Sequence, residues 1–302
     1  MSNSLFGPLD DVAGDAGHVD HPPRVGFFTD TSVCIGCKAC EVACKQWNSV
    51  PAGEQLDLLG MSHDNTGALG ANAWRHVAFV EQPATPPPPT PAVDLGMPAL
   101  QRPGDGTGEE TRTDFRWLMS SDVCKHCTHA GCLDVCPTGA LFRTEFGSVV
   151  VQQDICNGCG YCVSGCPYGV IERRSGDGRA QKCTLCYDRL HDGLEPACAK
   201  ACPTDSIQFG ELDELRERAA ARVATLHGRG VTEARLYGAD PDDGVGGTGA
   251  FFLLLDEPEV YGLPPDPVVP TRDAVRMWRF VGAAAGGLLA AVVTSFVGRA
   301  AR

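Results

Sequence analysis

Sixteen cysteines, every one of them in a run of four, constrain this 302-residue chain more than any other feature. The runs are Cys34, Cys37, Cys40, Cys44; Cys124, Cys127, Cys132, Cys136; Cys156, Cys159, Cys162, Cys166; and Cys183, Cys186, Cys198, Cys202. The first and third read C-x2-C-x2-C-x3-C, the pattern that wraps three thiolates around a 4Fe–4S cube and sends the fourth to another cube. The second and fourth stretch one gap, to x4 and x11. Two residues between thiolates let a tight loop place successive sulfurs on neighbouring corners. In three runs the last cysteine precedes a proline (Pro137, Pro167, Pro203), which fixes φ as the chain turns away. Gly36, Gly158, Gly160 and Gly165 allow the backbone to approach the inorganic sulfides and aim N–H groups at them.

Other uses of cysteine fit less well. Structural zinc normally takes two separated C-x-x-C pairs, and a disulfide framework suits a short secreted chain with a signal peptide, which is not expected here. No C-x-x-C unit is followed by His, as a c-type haem requires. The spacing therefore predicts four 4Fe–4S clusters. By the exchange rule of two-cluster ferredoxins, the adjacent second and third runs pair most simply. One cube then takes Cys124, Cys127, Cys132 and Cys166, and another Cys156, Cys159, Cys162 and Cys136. The outer runs are left to each other, as Cys34, Cys37, Cys40 with Cys202, and Cys183, Cys186, Cys198 with Cys44.

The formal charge of −13 makes a polyanion a poor partner, so nucleic acid is not expected. No phosphate-cradling loop and no nucleophile with its base accompany the cysteines. Many one-electron centres without a substrate pocket describe a conduit. Basic residues interleave the ligands (Lys38, Lys45, Lys125, Arg173, Arg174, Lys182, Arg189, Lys200), and a cation near a cluster raises its reduction potential. Ordinary solvated charge is the competing reading for each. Lys182, directly before Cys183, is the candidate for a tuning role.

Residues 1–24 read as a loose arm, packed on a neighbour or disordered, with His18 and His21 lacking metal spacing. Strands are predicted at Val25–Thr31, Ala73–Val80, Phe115–Met119, Ser148–Gln152 and Phe251–Leu255, and a solvated amphipathic helix at Leu212–Leu226. His76, alone on an apolar stretch, reads as structural rather than as a ligand. Pro86–Pro89 reads as a polyproline spacer within a long insertion. From Phe280 to Gly298 no residue is charged, and Trp278, Arg276, Arg279, Arg299 and Arg302 bracket the stretch as interfacial anchors. A membrane span is expected, with Gly282 and Gly286 suited to close helix packing.

The stretches VCIGCKACEVACKQWN (33–48), DVCKHCTHAGCLDVCPTGAL (122–141), DICNGCGYCVSGCPYGV (154–170), KCTLCYDRL with EPACAKACPT (182–204), DGVGGTGAFFLLL and YGLPPDP together resemble the beta subunit of membrane-bound formate dehydrogenase. The cysteine pattern is shared by iron–sulfur subunits of many molybdopterin oxidoreductases, and the tail narrows it. The resemblance implies an α+β fold of two pseudo-symmetric ferredoxin-like halves with insertions, plus one C-terminal transmembrane helix. It also implies the nested ligand pairing. Its partners would be a catalytic alpha subunit with a molybdenum or tungsten pterin that oxidises formate, and a membrane cytochrome b gamma subunit that reduces quinone. The bulk would then be extracytoplasmic, carried out with an alpha subunit that bears the export signal, and the chain itself would be non-catalytic. The half with runs one and four would face the catalytic subunit.

The corresponding division is an arm at 1–24, one half from 25–50 and 180–210, an insertion at 51–113, a second half at 114–179, a helix and connector at 211–275, and an anchor at 276–302. Three readings stand beside this one: the equivalent subunit of another molybdopterin oxidoreductase or a hydrogenase, a stand-alone polyferredoxin, and a colourless zinc scaffold.

Overall fold

In a computed structural model of the chain, residues 9, 11–53, 63–64, 66–83 and 115–300 are described below. The Pro86–Pro89 run and most of the expected insertion lie outside them. The apolar run near the C-terminus forms strand β10 (Ala250–Leu254), every residue of which is buried. It is unbroken by polar residues because both its faces are covered. Phe251 and Leu253 pack under a long helix, α6 (Leu212–Gly228), together with Leu215, Ala219 and Leu226. Phe252 and Leu254 turn to the opposite face, against Leu118, Tyr237 and Tyr261.

β1 (Val25–Asp30) lies parallel to β10, with Phe27 opposite Ala250 and Asp30 opposite Leu253. β8 (Ile207–Glu211) runs antiparallel along the other edge of β1, and β9 (Arg235–Tyr237) completes a four-stranded sheet in the order β8-β1-β10-β9. This sheet positions part of the cysteine array. β1 feeds the first cysteine run and β8 leaves the fourth, and their register sets Thr29 against Ile207. Reciprocal bonds of 2.8 Å, from Asp30 N to Ser206 O and from Ser206 Oγ to Asp30 O, hold those ends together.

Three hairpins frame the remaining loops. β2 (Arg75–Pro83) pairs with β3 (Phe115–Val123) over nine residues. β4 (Leu141–Arg143) pairs with β5 (Val149–Val151), and β6 (Glu172–Arg173) with β7 (Ala180–Gln181). β2 starts later than the predicted Ala73 because Gly70 and Ala73 bridge each other in a turn. β3 runs four residues past the predicted Met119. Its added residues include Ser120 and Ser121, which are buried despite being polar, so the alternation that marks a strand is lost there.

Residues 11–24, expected to be a loose arm, pack onto the rest of the protein. His18 Nε2 lies 2.9 Å from Arg143 O, and Arg24 donates to Thr128 Oγ1 (2.8 Å) and His126 O (2.9 Å). Gly247 and Val245, in the glycine-rich stretch before β10, accept from Thr128 N and His129 N. The stretch thus straps down the second cysteine loop. The predicted helix at Leu212–Leu226 is α6, with one face buried by the residues named above.

Candidate iron–sulfur sites

Each cysteine run is a loop that enters a short helix. α1 (Ala39–Trp47) carries Cys40 and Cys44, and α5 (Ala197–Lys200) carries Cys198 with Cys202 just beyond it. α2 (Gly131–Asp134) carries Cys132 with Cys136 beyond it, and α3 (Tyr161–Ser164) carries Cys162 with Cys166 beyond it. The short helix α4 (Tyr187–His191) fills the eleven-residue gap of the fourth run. A left-handed residue turns the chain into three of the five helices: Lys38 (φ 60°), Gly160 (φ 81°) and Cys186 (φ 50°). Backbone N–H groups point at sulfur, from Ala180 to Cys156 Sγ (3.4 Å) and from Leu185 to Cys183 Sγ (3.3 Å).

The thiols gather in sets that cross between runs. Burial, then the neighbouring Cys124, Cys132 and Cys166, push the Cys127 thiol well above its ordinary pKa. Those same four cysteines line one cavity, with Lys182 and His126. Burial, then Cys156, Cys136 and Cys159, push Cys162 up to about 11. The β4–β5 hairpin explains this set, because it follows Cys136, precedes Cys156 and sets Leu141 against Val151. Burial, then Cys198 above all, with Cys186 and Cys40 also contributing, push Cys44 up to about 12, and Cys183 is raised by burial with Cys44, Cys124, Cys198 and Cys186 among its neighbours. Cys34 is raised by burial, with Cys40 and Cys202 close by, and Cys37 stands exposed on the loop between Cys34 and Cys40.

Neighbours also connect one set to the next. Cys162 acts on Cys132, Cys124 on Cys183, and Cys198 on Cys40. These links run in one file, from the Cys156 set through those of Cys124 and Cys183 to that of Cys34. Among the described residues, no three His, Cys, Asp or Glu side chains converge tightly enough for a single metal ion. Tetrahedral zinc, with Zn–S near 2.3 Å, demands such convergence. A cube is larger than one ion and holds its thiolates further apart, and the all-cysteine donor set fits the cluster.

Of the interleaved cations, Lys182 is buried beside sulfur, with Nζ 3.5 Å from Cys124 Sγ and donating to Val149 O and, at 2.9 Å, to Cys183 O. Burial opposes its charge, but the thiols of Cys124, Cys132 and Cys183 outweigh burial and raise its pKa. Lys125 is buried too, but it pairs with Asp122 and lies over the Tyr168 and Phe252 rings. Lys38 pairs with Glu41 and Asp64, each at 3.4 Å, and Arg189 stacks on Trp47 at 4.2 Å. Lys200 forms an exposed pair with Glu195, and Arg173 donates to Gly158 O. His76 is structural, its Nε2 2.7 Å from Asp64 Oδ2.

Two cations outside the runs escape a reading based on the runs. Arg143, buried on β4, donates to Cys127 O (3.1 Å) and to Thr128 O. Arg75, buried at the start of β2, is subject to a burial penalty that Cys198, Cys40, Cys183 and Cys44 outweigh, so its pKa rises. Only tertiary structure brings either to the cysteines, and no local signal marks them.

The last described element is helix α7 (Ala274–Ala300). Its stretch Ala274–Phe296 spans 23 residues at mean hydropathy 1.5, none of it buried, and is long and apolar enough to cross a membrane. The segment before it is tied to α2, where Thr271 Oγ1 donates to Asp134 Oδ2 at 2.6 Å.

Two family models match the sequence, both described as a 4Fe-4S dicluster domain, over residues 33–140 and 115–212. The formate dehydrogenase iron-sulfur subunit of Haemophilus influenzae is 38% identical over 287 residues, covering 92% of this protein and 81% of the relative. The nitrate-inducible formate dehydrogenase iron-sulfur subunit of Escherichia coli is 38% identical over 264 residues, covering 86% and 78%. A subunit of the anaerobic dimethyl sulfoxide reductase of Escherichia coli is 33% identical over 198 residues, covering 65% and 77%. With its cysteine runs, its dicluster domains and its apolar terminal helix, the protein belongs to the family of formate dehydrogenase iron–sulfur subunits.

Proposed function

We propose that the protein is the electron-transfer subunit of a formate dehydrogenase complex. It relays electrons from a formate-oxidising subunit with a molybdenum or tungsten pterin to a membrane cytochrome b and quinone, with its bulk outside the cytoplasm. What supports this reading is the chain of neighbouring thiols, in which cysteines of different runs meet and link into one file. Four 4Fe–4S clusters held there supply a series of one-electron carriers. Their ligands are Cys34, Cys37, Cys40 and Cys202; Cys183, Cys186, Cys198 and Cys44; Cys124, Cys127, Cys132 and Cys166; and Cys156, Cys159, Cys162 and Cys136. The two halves then follow one plan, supported by the packing of α1 on α5 and of α2 on α3.

The ends of the file are open to partners. Cys37 and Ile35 are exposed at one end, and Cys159, Ile155 and Tyr161 at the other. The bond from Thr271 to Asp134 ties the approach to α7 to the half with runs two and three. That supports a membrane-facing role for this half and leaves the Cys34 end for the catalytic subunit.

The test is anaerobic purification in mild detergent with all accompanying subunits, followed by low-temperature electron paramagnetic resonance (EPR) before and after formate. Reduced 4Fe–4S signals with formate alone are expected. Signals only with dithionite, with the partners confirmed present, would move the assignment to another molybdopterin oxidoreductase, the reading favoured by the likeness to the dimethyl sulfoxide reductase subunit.

A further inference from the structure

Arg75 sits opposite Val123 in the β2–β3 hairpin, one residue before Cys124. Among the described residues it is the largest fully buried side chain. A guanidinium so placed needs a counter-charge, because an isolated buried ion is too costly to keep. Among the described residues no carboxylate forms an ion pair with it. Nη1 donates to Ser121 O (3.3 Å) and Ser121 Oγ (3.0 Å), and the group lies over the Phe27 ring, 4.9 Å from its centroid. Among the described residues Nε and Nη2 meet no acceptor at full hydrogen-bond geometry, while the side chain stands close enough to Cys198 to act on its thiol as a hydrogen-bond donor.

Its neighbours are cysteines instead, Cys198, Cys40, Cys183 and Cys44. Ser121 Oγ lies 3.2 Å from Cys40 Sγ, so Arg75 reaches that cysteine through one hydroxyl. Phe27, on which it rests, belongs to a buried cluster with Cys40, Cys183 and Cys198. Cys40 belongs to the set of Cys34, whereas Cys183 and Cys198 belong to the set that takes Cys44. Arg75 therefore stands where two thiol sets meet, with the three N–H groups of Nε and Nη2 uncommitted to any oxygen.

We propose that Arg75 is the shared counter-ion of these two thiolate sets, and that its fixed charge and its uncommitted N–H groups raise the reduction potentials of both clusters held there. The inference rests on the cluster assignment proposed above. Reduction adds negative charge to a cluster, and a cation in a low-dielectric surround stabilises the reduced form more than the oxidised one. N–H groups directed at sulfur act in the same direction. The charge is permanent, since arginine stays protonated at working pH.

The experiment is an EPR-monitored redox titration of the anaerobically purified complex with its accompanying subunits, comparing wild type, Arg75→Met and Arg75→Lys. Cys40→Ser and Cys198→Ser variants mark which signals belong to the two sets. In Arg75→Met those two midpoints are expected to fall by at least the equivalent of a tenfold loss in electron affinity, about 59 mV for one electron. The other two should stay in place, and Arg75→Lys should recover most of the shift. Unchanged midpoints at full iron content, or an equal fall in all four, would overturn the proposal. If Arg75→Met loses iron, Ser121→Ala decides: the midpoint of the Cys40 set alone should fall, and an unchanged titration overturns the link. Wild-type protein without four cluster signals would defeat the cluster assignment itself, a failure separate from that of Arg75.

Discussion

Lys182 shows what a single residue contributes. Its ammonium is withdrawn from water, lies 3.5 Å from Cys124 Sγ and is fastened by the carbonyls of Val149 and Cys183. Because Cys124 and Cys183 belong to different runs, one charge serves two cysteine runs at once. Lys182→Met should therefore lower the midpoint potential of the Cys124 set, read by EPR titration, while Lys200→Met, at an exposed surface pair, leaves all midpoints unchanged. A Lys182→Met complex with wild-type midpoints and full iron content would show that the ammonium is only packing. Lys182 is legible in the sequence because it adjoins Cys183. Arg75 and Arg143 are not, because strand pairing, and not the spacing of the cysteine runs, carries them to sulfur. Glu41 is hidden for a similar reason: its buried carboxylate accepts from Val77 N and from Thr66 Oγ1. Glu41→Ala should destabilise the fold by about 1–3 kcal/mol, measured by denaturant unfolding of the apo protein, because it leaves the Val77 N–H buried without an acceptor.

At the scale of elements, the loops are written plainly in the sequence and the framework around them is not. The C-x2-C spacing locates every cysteine loop, and each is followed by or contains a short helix. The full length of the β2–β3 hairpin is hidden because buried polar residues interrupt its pattern, and the parallel pairing of β1 with β10 joins segments more than two hundred residues apart. Gly158 is a case where the loop's need is visible and its reason is structural. Its φ is +74°, and a Cβ there would stand 2.5 Å from the carbonyl oxygen of Gly178. The obstacle is backbone, which cannot rotate aside as a side chain can. Gly158→Ala should cost about 1–3 kcal/mol from the left-handed conformation alone, with the clash added, and the displaced loop carries Cys156 and Cys159. The expected result is loss of iron confined to one set, seen as one missing EPR signal beside three unchanged ones. Full iron content with four signals would mean that the β6–β7 hairpin, which carries Arg173 and Arg174 into the turn at Gly178, yields easily.

For the whole molecule, the question is what the terminal helix does for the rest. Nothing in α7 between Ala274 and Phe296 is buried against the protein, so the helix adds no core to the cluster-bearing body. The body closes without it, through the four-stranded sheet and the strap from Asp243 to Gly249. Exposed apolar surface on that scale is tolerated when lipid or another membrane helix covers it. Truncation after Asp273 should therefore separate location from folding. Thr271 and its bond to Asp134 stay in place, so the half carrying runs two and three keeps its packing. The truncated protein should leave the membrane fraction, remain soluble without detergent and retain the iron content and EPR signals of the full-length form. If it stays with the membrane, contacts of the body with a partner hold it there and the helix is secondary. If it becomes soluble but loses iron from the sets nearest α2, the helix has a structural role in the body that its exposed surface does not reveal. The expected combination, a soluble protein with its clusters intact, makes the molecule a rigid array of thiolate cages on a separable anchor.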